Sequence, residues 1–151
     1  MAKFAHDEVV PDQQSGLNKK EQVARMFDSI AFRYDFMNRF LTAGIDMRWR
    51  KKAIRQLTAI HPKQILDVAT GTGDVAIMTY QMLHPEKITG IDISEGMLEL
   101  GRKKLEKLHL SDRIELHNGD SELIPFEDNL FDAITVAFGV RNFEHLQKGL
   151  S

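Results

Sequence analysis

A chain of 151 residues, 42% of them hydrophobic, amounts to one domain and is long enough to enclose a core. It contains no cysteine, which excludes a disulfide framework, a thiolate nucleophile and any cysteine-ligated metal. The net charge of -2 hides an asymmetry: residues 19–63 carry 11 Lys or Arg against 4 acids, whereas residues 64–151 carry 8 against 15.

No apolar run approaches the roughly 20 residues of a membrane-spanning helix. The opening MAKFAHDEVV lacks the charged-then-apolar pattern of a secretory signal, so a cytoplasmic protein is expected. Residues 1–18 read as a flexible leader, 19–62 as a helical cap and 63–151 as an α/β core. In the cap, Val23, Met26, Phe27 and Ile30 recur at helical spacing. A second helix is expected over 47–60, with Trp49, Ala53, Ile54, Leu57 and Ile60 available for burial and Pro62 ending it. Its run Arg48-Trp49-Arg50-Lys51-Lys52 reads either as a solvated helix face or as a patch for a membrane surface or nucleic acid.

From there strands and helices alternate. A strand over 65–69 leads to a helix over 74–83 that stops before Pro85, and a second strand covers 88–93. Ser94 caps the next helix, in which Glu99 and Lys103 form a favourable i,i+4 pair. A strand over 113–116, the loop NGDSELIPFEDN, a strand over 131–137 and a helix starting near Phe143 complete the chain. This alternation predicts a doubly wound parallel sheet of Rossmann-like type with a helical N-terminal cap.

The segment ILDVATGTGD, residues 65–74, carries most of the chemistry. It reads as a buried strand running into a glycine turn that opens a helix, where α/β sheets bind nucleotide-like cofactors. Gly71 and Gly73 can take positive φ and admit a ligand close to the backbone. With Ala76, and with Asp92 about 20 residues on, the turn satisfies a loose dinucleotide fingerprint. The acids argue against a diphosphate: Asp74 occupies the positive first turn of the helix, and Asp67 lies beneath the same loop. Asp120 follows the third strand at the mouth of the same cleft. Singly, each has an ordinary reading: a helix cap for Asp67 or Asp74, a turn residue for Asp92, a loop acid for Asp120. Together they suit a cationic, ribose-bearing ligand such as S-adenosylmethionine, with Asp92 on the ribose hydroxyls and Asp120 and Ser121 at the adenine edge.

ILDVATGTGD, IDIS, NGDSELIPF and FGVRNF resemble the successive motifs of class I methyltransferases that use S-adenosylmethionine. FDSIAFRYD and YDFMNRFLTAGIDMRW, the latter Tyr34 to Trp49, resemble a more selective signature, that of the ubiquinone/menaquinone biosynthesis C-methyltransferases of the UbiE type. The match covers residues from about 20 to 145. Three positions depart from the pattern. Thr42 replaces a serine and keeps the hydroxyl, Asp46 replaces a histidine and changes the charge available for acid or base work, and Ala69 replaces the first glycine of the turn. The family's C-terminal signature is missing, and four strands stand where such folds have seven. Strand 131–137 is therefore expected to form an apolar sheet edge. The chain is expected to be an N-terminal portion that associates through that edge or binds cofactor weakly.

The resemblance implies methyl transfer from S-adenosylmethionine to a ring carbon of a reduced polyprenyl quinone. It places Asp67, Ala69, Gly71, Thr72 and Gly73 at the cofactor, together with Asp92, Asp120, Ser121 and Ala137. No metal is implied. A ring carbon is a poor nucleophile until a neighbouring hydroxyl loses its proton. Arg141 is assigned to stabilising the resulting phenolate or activating water, Asn142 to positioning, and Tyr34 to closing over the methionine end. His117 and His145 are candidate bases, each with an ordinary surface reading. A lipophilic quinol substrate makes peripheral contact with the inner membrane face an expectation for the basic cap; no nucleic-acid partner is implied. The alternatives are a methyltransferase of another small molecule, a cofactor-binding non-catalytic subunit, and a dinucleotide-dependent oxidoreductase supported only by the glycine spacing.

Overall fold

The computed structural model describes Asp12 and residues 16–42 and 45–137, the side chains of Phe32 and of residues 34–46 excepted. Its elements in chain order are α1 (Lys19–Thr42), α2 (Ile45–Gln56), a short 3-10 segment (Leu57–Ile60), β1 (Gln64–Val68), α3 (Asp74–Leu83), β2 (Lys87–Asp92), α4 (Glu95–Lys107), β3 (Ile114–Asn118) and β4 (Ala133–Val136). All strand pairs are parallel, in the order β3-β2-β1-β4, so the direction of winding reverses between β1 and β4. The doubly wound parallel architecture is the one expected. The strands differ from expectation mainly at their ends: β3 starts later and runs to Asn118, and β4 spans only four residues. The helix expected near Phe143 lies outside the described residues.

The registers explain the core. Ile65 pairs with Ile88 and Ala133, and Ile88 with Ile114, so one row of β-branched and small side chains crosses the sheet. This row packs against Ala76 and Ile77 of α3 and Leu98 and Leu105 of α4. On the other face, Leu66, Val68 and Ile91 pack with Phe126 and Phe131. β4 forms one edge of the sheet among the described residues, and its Ile134 is 60% exposed.

The helical segment α2 departs from the expected burial. Ile54 is buried and Leu57 packs against the core, but Trp49, Ala53 and Ile60 are exposed. Two turns of basic residues leave too little apolar surface for a wide buried stripe. The last expected turn is the 3-10 segment, which ends at His61 in the left-handed region before Pro62.

α1 docks on α4 through a polar joint. Ser94 caps α4, its Oγ accepting from the Met97 amide at 3.3 Å, as anticipated. That hydroxyl also donates to Asp28 Oδ1 of α1 at 2.5 Å, and the Gly96 amide donates to the same oxygen at 3.0 Å. An anion from another helix thus sits at the positive end of α4. The expected Glu99–Lys103 pair is formed at 3.0 Å.

Candidate cofactor site at the carboxyl edge

The turn between β1 and α3 is held in place by backbone and carboxylate groups. The Thr70 amide donates to the Ile91 carbonyl at 3.0 Å, and the Gly73 amide to the Thr70 carbonyl at 2.9 Å. Gly71 and Gly73 take φ of 58° and 80°, the left-handed region that glycine accepts without strain. Ala69 shares that region at φ 54°, where its methyl group is a steric cost. Close packing beneath the turn depends on two further glycines that the sequence reading did not single out. A Cβ on Gly90 would come within 2.8 Å of Thr70 Oγ1, and one on Gly101 within 3.0 Å of the Thr72 backbone.

Asp92 stands at the end of β2 with both carboxylate oxygens engaged. Oδ2 accepts from the Gly71 amide at 2.8 Å and Oδ1 from the Ser94 amide at 2.9 Å. Burial raises its pKa, opposed by backbone donors from Ser94, Gly71 and Ile93, and the Asp28 carboxylate raises it further. The Gly119 amide donates to the Asp92 carbonyl at 3.0 Å, which brings the loop after β3 alongside.

Asp67 is placed under the turn and not in the open cleft, at 1% exposure. Its Oδ2 accepts from Thr70 Oγ1 at 2.7 Å and its Oδ1 from Thr135 Oγ1 at 2.6 Å. Burial pushes its carboxyl up to about 6; the Thr135 and Thr70 hydroxyls oppose this, the Asp92 charge adds to it, and Arg50 opposes it. A ligand above the turn would meet the charge of Asp67 rather than its oxygens. Thr135 was missed by sequence reading, although strand alternation opposite Asp67 could have found it.

The charge balance of the turn also differs from expectation. Lys104 of α4 reaches Asp74 Oδ1 at 2.7 Å and Thr72 Oγ1 at 2.8 Å. Asp74 is therefore neutralised in place, and its charge does not carry the case against a diphosphate. A different feature does. The Gly71 amide, which a phosphate cradle would present to its ligand, is bound to Asp92, while the neighbouring Thr70 and Gly73 amides are bound within the protein.

Asp120 and Ser121, both half-buried, follow β3 at the same edge, and half-buried Ala137 follows β4. Asp120 Oδ2 lies 2.7 Å from Lys20 Nζ of α1, a contact across 100 residues that no local pattern announces. Arg50 also departs from its reading as part of an outward basic run: it is half-buried and its charge acts on Asp67, whereas Arg48, Lys51 and Lys52 are exposed. His117 is an exposed residue on β3, 3.3 Å from Glu115. Tyr34 lies on α1 with its side chain undescribed; Arg141, Asn142 and His145 lie outside the described residues. Among the described residues no cluster of His, Asp and Glu is arranged to hold a metal.

The model of the ubiE/COQ5 methyltransferase family matches residues 15–151. A demethylmenaquinone methyltransferase of Bacteroides fragilis is 51% identical over 98% of this chain and 60% of its own length. The ubiquinone/menaquinone biosynthesis C-methyltransferase UbiE of Geobacter sulfurreducens is 45% identical over 88% of this chain and 52% of its own. The chain thus spans little more than half the length of these curated relatives. A solved structure from Methanococcus maripaludis, described as a putative S-adenosyl-L-methionine-dependent methyltransferase, aligns with TM-score 0.67 at 24% identity, over 92% of this chain and 59% of that one. That likeness speaks to the fold alone.

Proposed function

The chain belongs to the ubiE/COQ5 methyltransferase family, and from that premise we propose that its carboxyl-edge site holds S-adenosylmethionine for C-methylation of a reduced polyprenyl quinone precursor, of the demethylmenaquinol type. The observation that carries the cofactor reading is the Gly71 amide bound to Asp92 Oδ2 at 2.8 Å. It removes a donor that a pyrophosphate needs and puts a carboxylate where a ribose diol can be held. Asp92 Oδ2 accepts from the Gly71 amide and Oδ1 from the Ser94 amide, and the remaining lone pairs of the carboxylate can accept from a hydroxyl.

The residues fit the cofactor's parts in strand order. Asp120 and Ser121 after β3 meet the adenine edge, Asp92 after β2 the ribose, and Asp67 lies beneath the sulfonium and amino-acid end near β1. When bound, the cofactor supplies an electrophilic methyl group. The chain's own part is to orient it, exclude water and place charge. Ala69, Gly71, Thr72, Gly73 and Ala137 shape the floor and wall of the site. Tyr34 closes over the methionine end, Arg141 stabilises the phenolate of the substrate ring or activates water, and Asn142 positions the ring. Arg141 is too basic to accept the proton itself.

The lipophilic substrate gives α2 a role at the membrane. Met47, Arg48, Trp49, Lys51, Lys52 and Arg55 are exposed along it, Lys52 Nζ stands 5.7 Å from the Trp49 ring, and no acid occurs from residue 47 to 66. Exposed cations around an exposed indole match an anionic lipid surface. No helix among the described residues is long and apolar enough to cross a membrane. The apolar β4 edge is a route for self-association.

The test is transfer of an isotopically labelled methyl group from S-adenosylmethionine to demethylmenaquinol presented in lipid, read by mass spectrometry. A labelled quinone supports the reading. Cofactor binding with no transfer to any quinol supports the non-catalytic alternative.

A further inference from the structure

Lys20, in the first turn of α1, holds two acids of the loop after β3 at once. Its Nζ lies 2.7 Å from Asp120 Oδ2 and 3.1 Å from Glu122 Oε2. The Glu122 side chain is 1% exposed and those of Lys20 and Asp120 are each 26% exposed. The loop is further fixed by the Glu122 amide, which donates to Asp120 Oδ1 at 2.9 Å. Through the Gly119 amide it is tied to the Asp92 carbonyl. Asp120 is thereby held beside the position that the cofactor reading gives to the base.

A cation between two carboxylates, one of them buried, offsets their repulsion and fixes the position of both. A carboxylate oxygen accepts hydrogen bonds, so the place where it is held decides which donor of a ligand it can meet. Partial burial works against the charge on Lys20, but Asp120 and Glu122 outweigh it and hold its pKa above the ordinary value.

We propose that Lys20 is a specificity-determining positioning residue: by pinning Asp120 and Glu122 in place, it fixes a carboxylate acceptor of the loop after β3 at the purine 6-position and so selects a 6-amino purine over a 6-oxo purine. This rests on the cofactor reading above. An adenine amino group donates to such an acceptor. The carbonyl of hypoxanthine meets it acceptor to acceptor, and the adjacent N1–H is satisfied only by a carboxylate free to shift, which Lys20 prevents; leaving polar groups unpaired in a site is the strongest form of discrimination available to it. Neither Lys20 nor Glu122 was singled out from the sequence.

The test compares the affinities of S-adenosylhomocysteine and S-inosylhomocysteine, which differ only at this purine position and its ring protonation, by titration of the chain. The unaltered chain is expected to favour the adenosyl compound by about 10- to 100-fold. Lys20→Met, or Lys20→Gln should the first variant melt early, is expected to reduce that ratio to a few-fold, and Lys20→Arg to retain it. Asp120→Asn, which can turn its amide to donate, should favour the inosyl compound. A ratio unchanged in Lys20→Met and Lys20→Gln, whatever happens to the absolute affinities, overturns the inference alone. Binding of neither compound to the unaltered chain overturns the cofactor reading and this inference with it.

Discussion

Thr135 on β4 donates a 2.6 Å hydrogen bond to Oδ1 of Asp67 on β1, the residue directly opposite it in the parallel register. The contact joins the two strands between which the winding reverses, at the carboxyl edge where doubly wound sheets bind ligands. With Thr70 on Oδ2, it fixes a buried carboxylate beneath the glycine turn.

That burial has a pH signature. The Asp67 carboxyl is pushed up to about 6 from 3.8, so it binds its proton more tightly in the folded chain than in the unfolded one. Its contribution to stability is fully present below the unfolded value and is lost as pH rises through about 6. Asp92, raised in the same direction, adds to the trend. Asp67→Asn removes the dependence due to Asp67. Between pH 4 and pH 7 the difference in urea stability should move in the variant's favour, by an amount on the order of 3 kcal/mol at most. A difference that does not change with pH contradicts the buried-carboxylate account.

Ala69 offers a stabilising substitution inside the site. At φ 54° its methyl group costs roughly 1–2 kcal/mol relative to an unstrained backbone. Glycine would relieve that but add about 0.4–1 kcal/mol of unfolded-state freedom. The strain is the larger effect, so Ala69→Gly should stabilise the chain by about 0.5–1 kcal/mol in urea titration. A loss of stability would show that the methyl group packs favourably enough to offset the backbone cost.

Gly101 should be intolerant. A methyl group there would come within 2.5 Å of Leu116 Cδ1 and 3.0 Å of the Thr72 carbonyl oxygen. The turn backbone cannot give without moving Gly71 from Asp92. Gly101→Ala is expected to cost about 1–3 kcal/mol of stability and to weaken S-adenosylhomocysteine binding as well. Unchanged melting and binding would mean that α4 is free to shift away from the turn.

The parts of this site that were legible in the sequence are those set by local rules. Ser94 caps α4 because a hydroxyl there reaches the amide three residues on, and Gly71 and Gly73 take positive φ because the turn needs it. The alternation of strands and helices gave the parallel sheet. What was not legible depends on residues brought together from afar. Lys104 neutralises Asp74 across 30 positions, and Lys20 reaches Asp120 across 100, so counting acids along the chain overstated the free negative charge of the turn. Arg50 shows the same limit: its neighbours in sequence face solvent, and only the docking of α2 separates it from them. Trp49 and Ile60, which an apolar count assigns to the core, are exposed for the same reason.

On the proposed function, the Asp92-bound turn selects S-adenosylmethionine and its homocysteine product over a dinucleotide. Ligand-observed NMR of the chain with S-adenosylhomocysteine and NAD in competition tests it most directly, because it detects weak binding. Saturation transfer is expected to S-adenosylhomocysteine and not to NAD, with the former lost in Asp92→Asn. Transfer to NAD that S-adenosylhomocysteine fails to displace would contradict it.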